Sequence, residues 1–342
     1  MGRNTQQNSI TSDEKTKLIN PFNMQLREDF LAYLRSVQRS PQTIRAYASD
    51  LLIIFTYILE RAGNKKFTEL TKRELVAFQN WLIHENNNSP ARVRRLKATI
   101  SSLSNYITNI LDDEDEFKNF KPIVKKIESP VNQPVREKLV LSDEQLDGLF
   151  SYLLDTKQFR EACMLALAAY SGRRKSELVL FKVHYFDDEN IVLGSLYKTP
   201  EKIKTKGRGN GKFIHCYTLS KKFKPYLDLW LADRKEKGIE SEWLFPLEDD
   251  YDQHMKADTL NSWAVRFSKI LGVDFYWHSL RHFFTTDLIR SGLPDRVIQD
   301  IVGWTSADMV KVYTDLDTEE QIGMYFHDGE IVTPTNNGFG QE

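Results

Sequence analysis

Apolar residues recur at spacings of three and four along most of the chain, which is the period of an α-helix. Between residues 22 and 111 these runs begin at helix-capping signals: Ser-Pro pairs at 40–41 and 89–90, and Thr71 with Glu74. The last apolar run of this region ends just before an acidic stretch. The pattern therefore predicts an all-helical domain of roughly four helices.

A second domain is predicted over residues 139–330, where helical patterns surround two β-type runs. Its first helix follows a capping box of Ser142 and Gln145. The runs NIVLGSLY, from Asn190, and KFIHCYTL, from Lys212, flank a segment rich in Lys and Gly, so we predict a hairpin with a long turn. The fold class is mainly α in two domains, the second being α+β with a small antiparallel sheet.

Three segments lack an amphipathic pattern. Residues 1–21 and 331–342 are polar and aperiodic, and we predict that they are disordered tails. Residues 112–138 combine an acidic run with three prolines, which is typical of an extended linker. The sequence has no apolar run of about 18 residues and only 2 cysteines, so we expect no membrane association and a cytoplasmic protein with free thiols.

The charge is unevenly distributed although the net charge is −1. Residues 1–111 carry 16 Lys and Arg against 9 Asp and Glu, whereas residues 137–342 carry 26 against 33. A basic front domain favours polyanion binding there, unless the two solvated surfaces merely differ in sign. The densest basic cluster is predicted to form one face of a helix, which either binds a polyanion or is ordinary surface. This basic cluster consists of Arg92, Arg94, Arg95 and Lys97.

Four pieces of the second domain carry candidate chemistry: SGRRKSEL at 171–178, the lysine-rich hairpin, HSLRH at 278–282 and GWTSADMVKVYTDL at 303–316. His278 and Arg281 are three positions apart, which places them on one face of a helix. Arginine offers a fork of donors that matches phosphate oxygens, and imidazole can move a proton near neutral pH. These residues predict a phosphate site, although each piece alone is a weak signal.

In this order and spacing, the four pieces resemble the tyrosine recombinase (phage integrase) family. The resemblance covers residues 140–326 as a catalytic domain, and the S-P-x-T-x-x-x-Y motif at 40–47 resembles the family's core-binding, SAM-like domain. It implies the catalytic residues by position: Arg174 in the S-G-x-R box, Lys206 before the return strand, His278 and Arg281 in the H-x-L-R box, Trp304 in place of a second histidine, and Tyr313. Arg173 fills the variable position of its box, and Lys204 and Lys212 remain alternatives for the lysine. Glu177 is expected to orient the arginine box and His282 to support the site.

The resemblance implies a metal-independent DNA strand transfer without a cofactor. Tyr313 would form a 3′-phosphotyrosyl bond, while the arginines stabilise charge and Lys206 protonates the leaving oxygen. The expected partner is double-stranded DNA with inverted-repeat half-sites, contacted also by the basic cluster, Arg173 and Arg208.

The resemblance further implies a homo-tetramer on DNA, joined through a C-terminal helix in the segment after Tyr313, unless this helix packs on its own domain. Its apolar residues are Ile322, Met324, Tyr325 and Phe326. An accessory directionality factor is possible. Because only about 22 polar residues precede the helical domain, we expect a compact, nucleoid-associated recombinase without an arm-binding module. It would either integrate and excise a mobile element or resolve replicon dimers. The alternatives are a type IB topoisomerase and a DNA-binding module with an inactive site.

Overall fold

The computed structural model of the chain describes residues 10–131, 141–205, 211–304, 326–327 and 330–331. These residues fall into two compact units, of which the first comprises residues 10–131. Each unit has its own hydrophobic core. The chain therefore has the two-domain, mainly helical architecture that the sequence predicts.

The first unit is all-helical within its described residues. Its helices are α1 (Asp13–Leu18), α2 (Pro21–Ser36), α3 (Pro41–Arg61), α4 (Lys72–Asn80), which continues into a π-turn (Trp81–Glu85), and α5 (Pro90–Ile110). The side chains of Ser40, Thr71 and Ser89 each accept a hydrogen bond from a backbone N–H in the first turn, as their capping signals predict. These local signals place α3, α4 and α5 correctly.

The structure corrects the prediction of a disordered tail over residues 1–21. Helix α1 begins after Ser12, whose hydroxyl accepts from the backbone N–H of Lys15 at 3.2 Å. Ile19 is buried in the first core, and Asn20 caps α2 while it hydrogen-bonds to Asn64. The capping serine, the buried Ile19 and the Asn20–Asn64 hydrogen bond hold this short helix on the domain, although it has no apolar stripe of its own.

The predicted linker is also ordered over its first part. Phe117 and Val124 are buried in the first core, and a 3₁₀ turn spans Val124–Lys126. Residues 112–131 therefore pack on the first unit instead of extending away from it. Residues 132–138 of the predicted linker lie outside the described residues.

The second unit combines helices with short strands. Its helices are α6 (Asp143–Asp155), α7 (Phe159–Ser171), α8 (Lys175–Leu178), α9 (Ser220–Glu236), α10 (Thr259–Leu271), α11 (Trp277–Arg290) and α12 (Asp295–Val302). Helix α7 is apolar on nearly every side and lies at the centre of the core, as expected for a helix without a polar face. None of the described helices has both the length and the apolar character that a bilayer-spanning helix needs.

Two small antiparallel sheets replace the single predicted hairpin. The strands here are β1 (Ile191–Val192), β2 (Leu196–Lys198), β3 (Ile203–Thr205), β4 (Lys212–Ile214) and β5 (Tyr217–Leu219). The run NIVLGSLY turns back on itself at Leu193 and Gly194, which both have positive φ, as a tight hairpin turn requires. The run KFIHCYTL supplies β4, which pairs with β3, and β5, which pairs with β2. The two runs pair antiparallel through β2 and β5 as predicted, but β3, from the segment between them, pairs with β4 in a separate sheet.

The second unit also contains further short antiparallel strand pairs. Strand β6 (Pro246–Leu247) pairs with β7 (Asp250–His254), and β8 (Phe326–His327) pairs with β9 (Glu330–Ile331). The last pair corrects two predictions, because Phe326 is in a strand instead of the C-terminal helix and Ile331 is paired instead of starting a tail. Asp-Gly separates these strands in the sequence, and this dipeptide is favoured in two-residue hairpin turns. The predicted helix before Phe326 lies outside the described residues.

Candidate active site

The S-G-R-R turn is held in place by a glycine. Helix α7 ends at Gly172, which is left-handed with φ +61° and donates its N–H to Ala168 O at 3.1 Å. A Cβ at Gly172 would lie 2.5 Å from Cδ1 of Phe284 on α11. Both the backbone conformation and the close approach of α11 therefore require glycine at this position. The turn thus lies directly against the helix that carries the H-x-L-R motif.

Arg281 joins three of the sequence motifs at one guanidinium. Its side chain is fully buried, and it donates to Gly172 O at 2.8 Å and to Val302 O at 3.1 Å. Its guanidinium carbon lies 5.4 Å from the ring centre of Trp304, within the range of a cation–π contact. The arginine box, the H-x-L-R helix and the G-W turn therefore meet around this side chain.

Arg174 is fixed by two hydrogen-bonding partners. The buried carboxylate of Glu177 accepts from the Arg174 backbone N–H at 3.1 Å and from its Nη1 at 2.9 Å. The Thr205 hydroxyl accepts from the same Nη1 at 3.2 Å and donates to Glu177. About a quarter of the Arg174 side chain stays exposed (27%), so the guanidinium is oriented and still accessible. Glu177 thus orients the arginine box through contacts with both the backbone and the side chain of Arg174.

Glu177 remains ionised in this environment. Burial alone would raise the pKa of its carboxyl group, but the Thr205 hydrogen bond and the charges of Arg173 and Arg174 outweigh burial and lower the pKa below its usual value. The guanidinium groups of Arg173 and Arg174 thus both act on one carboxylate. Of the two, Arg174 is accessible, and its donors match the oxygens of a phosphodiester.

The two histidines of H-S-L-R-H differ in accessibility. Their rings meet edge to face with centroids 5.1 Å apart, His278 being exposed and His282 buried. An exposed imidazole one turn before Arg281 can exchange a proton with a bound substrate, whereas His282 is enclosed by the protein. Among the described residues, no group of three His, Cys, Asp or Glu side chains is arranged to hold a metal ion.

The lysine and the tyrosine predicted from the sequence lie outside the described residues, as does Arg208. The strand that leads to Lys206 is described: Thr205, at its end, contacts both Arg174 and Glu177. Of the alternatives, Lys204 points to the opposite face of β3 and is exposed, whereas Lys212 pairs with Thr205 and shares its face. The choice of Lys206 stays a prediction, with Lys204 and Lys212 as its alternatives.

Arg173 does not lie on a DNA-facing surface, contrary to the prediction from the sequence. Its side chain is 1% exposed and hydrogen-bonds within the domain, because the left-handed turn at Gly172 directs residue 173 inward and residue 174 outward. The sequence alone does not distinguish Arg173 from Arg174, because the two are adjacent and of the same type. The direction of the turn at Gly172 determines which of them is buried. Thr205 is a further residue of this cluster that the sequence did not indicate.

Two protein-family models match the chain. The model "Phage integrase family" matches residues 140–320, which is more than half of the chain, and "Phage integrase, N-terminal SAM-like domain" matches residues 26–114. The chain belongs to the phage integrase family of tyrosine recombinases. It is therefore a site-specific recombinase, and the type IB topoisomerase alternative is not favoured.

Known recombinases resemble the chain over most of its length. Tyrosine recombinase XerA of Thermococcus kodakarensis is 28% identical over 295 residues, covering 85% of this chain and 91% of the relative. The SPbeta prophage-derived recombinase-like protein YomM of Bacillus subtilis is 25% identical over 237 residues, or 68% of each chain. The structure of XerH bound to a difH substrate covers 88% of this chain with a TM-score of 0.63 at 19% identity, which supports the same fold.

In the recombinase's SAM-like domain, the basic cluster splits across two sides of α5. Arg92 and Arg95 both bind the buried carboxylate of Asp50, at 2.6 Å and 3.1 Å, and Thr99 donates to it as well. Asp50 belongs to α3, and its neighbours in the sequence do not predict an ion pair with α5. The two arginines keep part of their side chains exposed, Arg95 more than half (53%), so they stay available to a polyanion.

Lys97 does not share that face, which corrects the prediction of one basic surface. Its ammonium group is buried and donates to the carbonyl oxygens of Ile127 and Glu128 at 2.8 Å and 2.7 Å. Burial lowers the pKa of Lys97. Arg94 lies on the same side of α5 and donates to Pro130 O. Positions 94 and 97 thus hold the segment after α5, because steps of two and five residues turn a helix far from the face of Arg92.

Proposed function

We propose that this recombinase cuts and rejoins double-stranded DNA through a covalent bond between Tyr313 and a 3′-phosphate. The observation that supports this most directly is the accessible guanidinium of Arg174, which the buried Glu177 carboxylate and the Thr205 hydroxyl orient. Its donors match the oxygens of a phosphodiester. The site-specific reaction is that of the family, and the roles of individual residues are our proposal.

The chemistry follows from those roles. The Tyr313 hydroxyl oxygen attacks the scissile phosphorus and loses its proton with the help of His278, while the bond to the 5′-oxygen breaks. That oxygen takes a proton from Lys206 and leaves as a hydroxyl group. When this 5′-hydroxyl later attacks the phosphotyrosyl bond, the strand is rejoined and Tyr313 is released. When the 5′-hydroxyl of a partner duplex attacks instead, the two duplexes exchange strands. The bond energy is kept in the phosphotyrosyl linkage, so no nucleotide cofactor is consumed.

Arg174 and Arg281 would stabilise the charge that develops on the nonbridging oxygens. Arg174 is accessible and can meet the phosphate directly. Arg281 is covered in this structure, so its contact with the phosphate requires neighbouring side chains to shift when DNA binds. Trp304, whose indole N–H is a donor without a proton to give up at neutral pH, would assist at one oxygen.

Relatives support DNA sites as the partner. The XerH structure contains a palindromic difH substrate, and a λ integrase dimer of the same fold, with a TM-score of 0.61 and 18% identity, is bound to a COC′ core site. We propose that this chain likewise binds inverted half-sites, acts as a tetramer at the nucleoid, and either moves an element or resolves dimers. The relative YomM is prophage-derived, which supports the first of these settings.

Sequencing of covalently captured DNA tests the proposed function. Cells expressing the full chain are lysed in detergent, the protein with its attached DNA is immunoprecipitated, and the DNA ends are sequenced. We expect one site with inverted half-sites, and no enrichment from cells that express the Tyr313→Phe variant. Adducts spread evenly over the genome would contradict site-specific recombination and favour topoisomerase-like action.

The SAM-like domain offers a test of the corrected basic surface. We expect Arg95→Gln to weaken DNA binding and lower the slope of log affinity against log salt by about one unit, because one exposed phosphate contact is lost. Lys97→Met should instead lower the melting temperature and leave the slope unchanged, because its ammonium serves two buried carbonyls. Titrations at several salt concentrations and thermal unfolding measure both. If wild type and Arg95→Gln have equal slopes, Arg95 makes no phosphate contact and is an ordinary surface residue.

The tetramer proposal predicts that a chain truncated after Asp317 binds a half-site normally but recombines at least about tenfold less, because contacts between protomers are lost. The matched control ends at Val332 and keeps strand β9. Gel-shift titration and a recombination assay on two sites separate the effects. If the shorter chain recombines as well as the control, the segment after Asp317 makes no contact that the assembly needs.

A further inference from the structure

Arg173 is buried next to the site without entering it. Its Nε donates to Ser171 O at 3.2 Å, its Nη1 to Cys216 Sγ at 3.6 Å, and its Nη2 to Ile301 O. Burying a guanidinium is costly unless its donors are used, so a side chain at 1% exposure with these partners is fixed. Burial raises the pKa of Cys216, so the sulfur is a neutral thiol and not a counter-ion. Arg173 therefore links three segments of the domain by hydrogen bonds.

One of these segments is the end of α12, where carbonyl groups lack partners within the helix. Arg173 binds the carbonyl of Ile301, and Arg281 binds the next one, of Val302. Two positive groups at this end also oppose the negative pole of the helix dipole. The end of α12 is thus held from both sides by guanidinium groups.

The turn that follows has no room to move toward Arg173. Gly303 is left-handed with φ +75°, and a Cβ there would lie 2.6 Å from Ile214 Cδ1 and 3.2 Å from Arg173 Nη1. Trp304, the next residue, is buried and lies over Arg281. The backbone that carries the indole is therefore restrained by a turn that rests on Arg173.

We infer that Arg173 is a positioning residue: it holds the turn at 301–304 so that the Trp304 indole stays against the Arg281 guanidinium. Arg173 touches no reacting atom in this account. The inference rests on the proposed function for the roles of Trp304 and Arg281, but the geometry of the turn can be tested without DNA.

The domain contains a matched control for this experiment. Arg234 is also buried, donates to the carbonyl oxygens of Ser241, Trp243 and Leu244, and lies 5.9 Å from the ring centre of Trp230. Trp230 donates its indole N–H to Leu244 O, one of the same acceptors. Arg234→Met therefore removes a comparable buried arginine beside a different tryptophan.

The first measurement is fluorine NMR of the full chain labelled with 5-fluorotryptophan, in which its 6 tryptophans give separate signals. Trp304→Phe and Trp230→Phe assign the two signals of interest. We expect Arg173→Met to shift or broaden the Trp304 signal only, and Arg234→Met to affect Trp230 only. An unchanged Trp304 signal in folded Arg173→Met overturns the inference. If that variant does not fold, Arg173→Lys, which keeps the charge but cannot reach all three acceptors, replaces it with the same expected shift.

The second measurement is a double-mutant cycle on the single-turnover rate of covalent capture, with a nicked duplex carrying the site identified by sequencing. Arg173→Met should slow capture by about ten- to a hundredfold, because a displaced donor group weakens catalysis. It should slow capture no further in the Trp304→Phe background, and Arg234→Met should leave the rate unchanged. Independent, multiplicative effects of the two substitutions overturn the inference. No capture by the wild type would instead count against the proposed function, and the NMR result would still decide the position of the turn.

Discussion

Replacing Tyr313 by phenylalanine is expected to lower covalent capture of DNA by at least about 10³-fold while DNA binding stays intact. The substitution removes only the hydroxyl group, which is the proposed nucleophile, and keeps the ring. Its place in the sequence, nine residues after Trp304, is the basis of the assignment. Detergent-resistant protein–DNA adducts on a nicked site measure capture, and gel-shift titration measures binding.

The control for this variant is Tyr152→Phe, which removes a hydroxyl from an exposed tyrosine of the same domain. Both capture and binding should be normal in the control. A normal yield of adduct from Tyr313→Phe would show that another residue is the nucleophile. Loss of binding together with capture would mean that the hydroxyl serves DNA recognition.

Arg174→Ala and Lys206→Ala should differ sharply on a substrate whose bridging 5′-oxygen is replaced by sulfur. Sulfur leaves as a thiolate and needs no proton, so Lys206→Ala should cleave ordinary DNA at least about a hundredfold more slowly than wild type and the sulfur substrate nearly normally. Arg174→Ala should stay defective on both, because the charge on the nonbridging oxygens is unchanged by the sulfur. Single-turnover cleavage rates on the two substrates measure this difference.

Lys204→Ala and Lys212→Ala complete the comparison. If the sulfur substrate rescues Lys212→Ala and Lys206→Ala shows no defect, Lys212 is the residue that protonates the leaving oxygen. Impairment of all three variants without rescue would assign the lysines to DNA binding. Arg174→Ala also leaves the buried Glu177 without its ion-pair partner, so its folding is checked by thermal unfolding, with Arg174→Lys as the variant that keeps the charge.

The helices could be predicted from the sequence because their signals are local. Ser40 and Ser89 accept from backbone groups three residues away, and the capping box of Ser142 and Gln145 forms as expected. The same holds for the arginine box, in which Glu177 contacts Arg174 three positions before it. Such contacts depend on a single turn of chain, so residue types and spacing are sufficient evidence.

The remaining features depend on contacts between distant segments. Asp50 reaches Arg92 and Arg95 from another helix, and Lys97 is buried because residues after α5 fold back over it. The position of a residue on its own helix indicates neither Asp50 nor the segment after α5 as its partner. Likewise, the run KFIHCYTL divides between two sheets, because β4 pairs with β3 whereas β5 pairs with β2. The sequence therefore indicates which residues carry charge but not which of them face inward.

Arg281 is held by main-chain oxygens, those of Gly172 and Val302, and this determines which neighbouring positions tolerate change. A carbonyl group is supplied by any amino acid, so position 302 can exchange one apolar residue for another of similar volume and still hold the guanidinium. Gly172 and Gly303 have no such freedom, because side chains there collide with Phe284 and Ile214. A designer who wishes to diversify this enzyme around its site can thus vary residue 302, whose carbonyl accepts the hydrogen bond, and must keep the two glycines that shape the path of the chain.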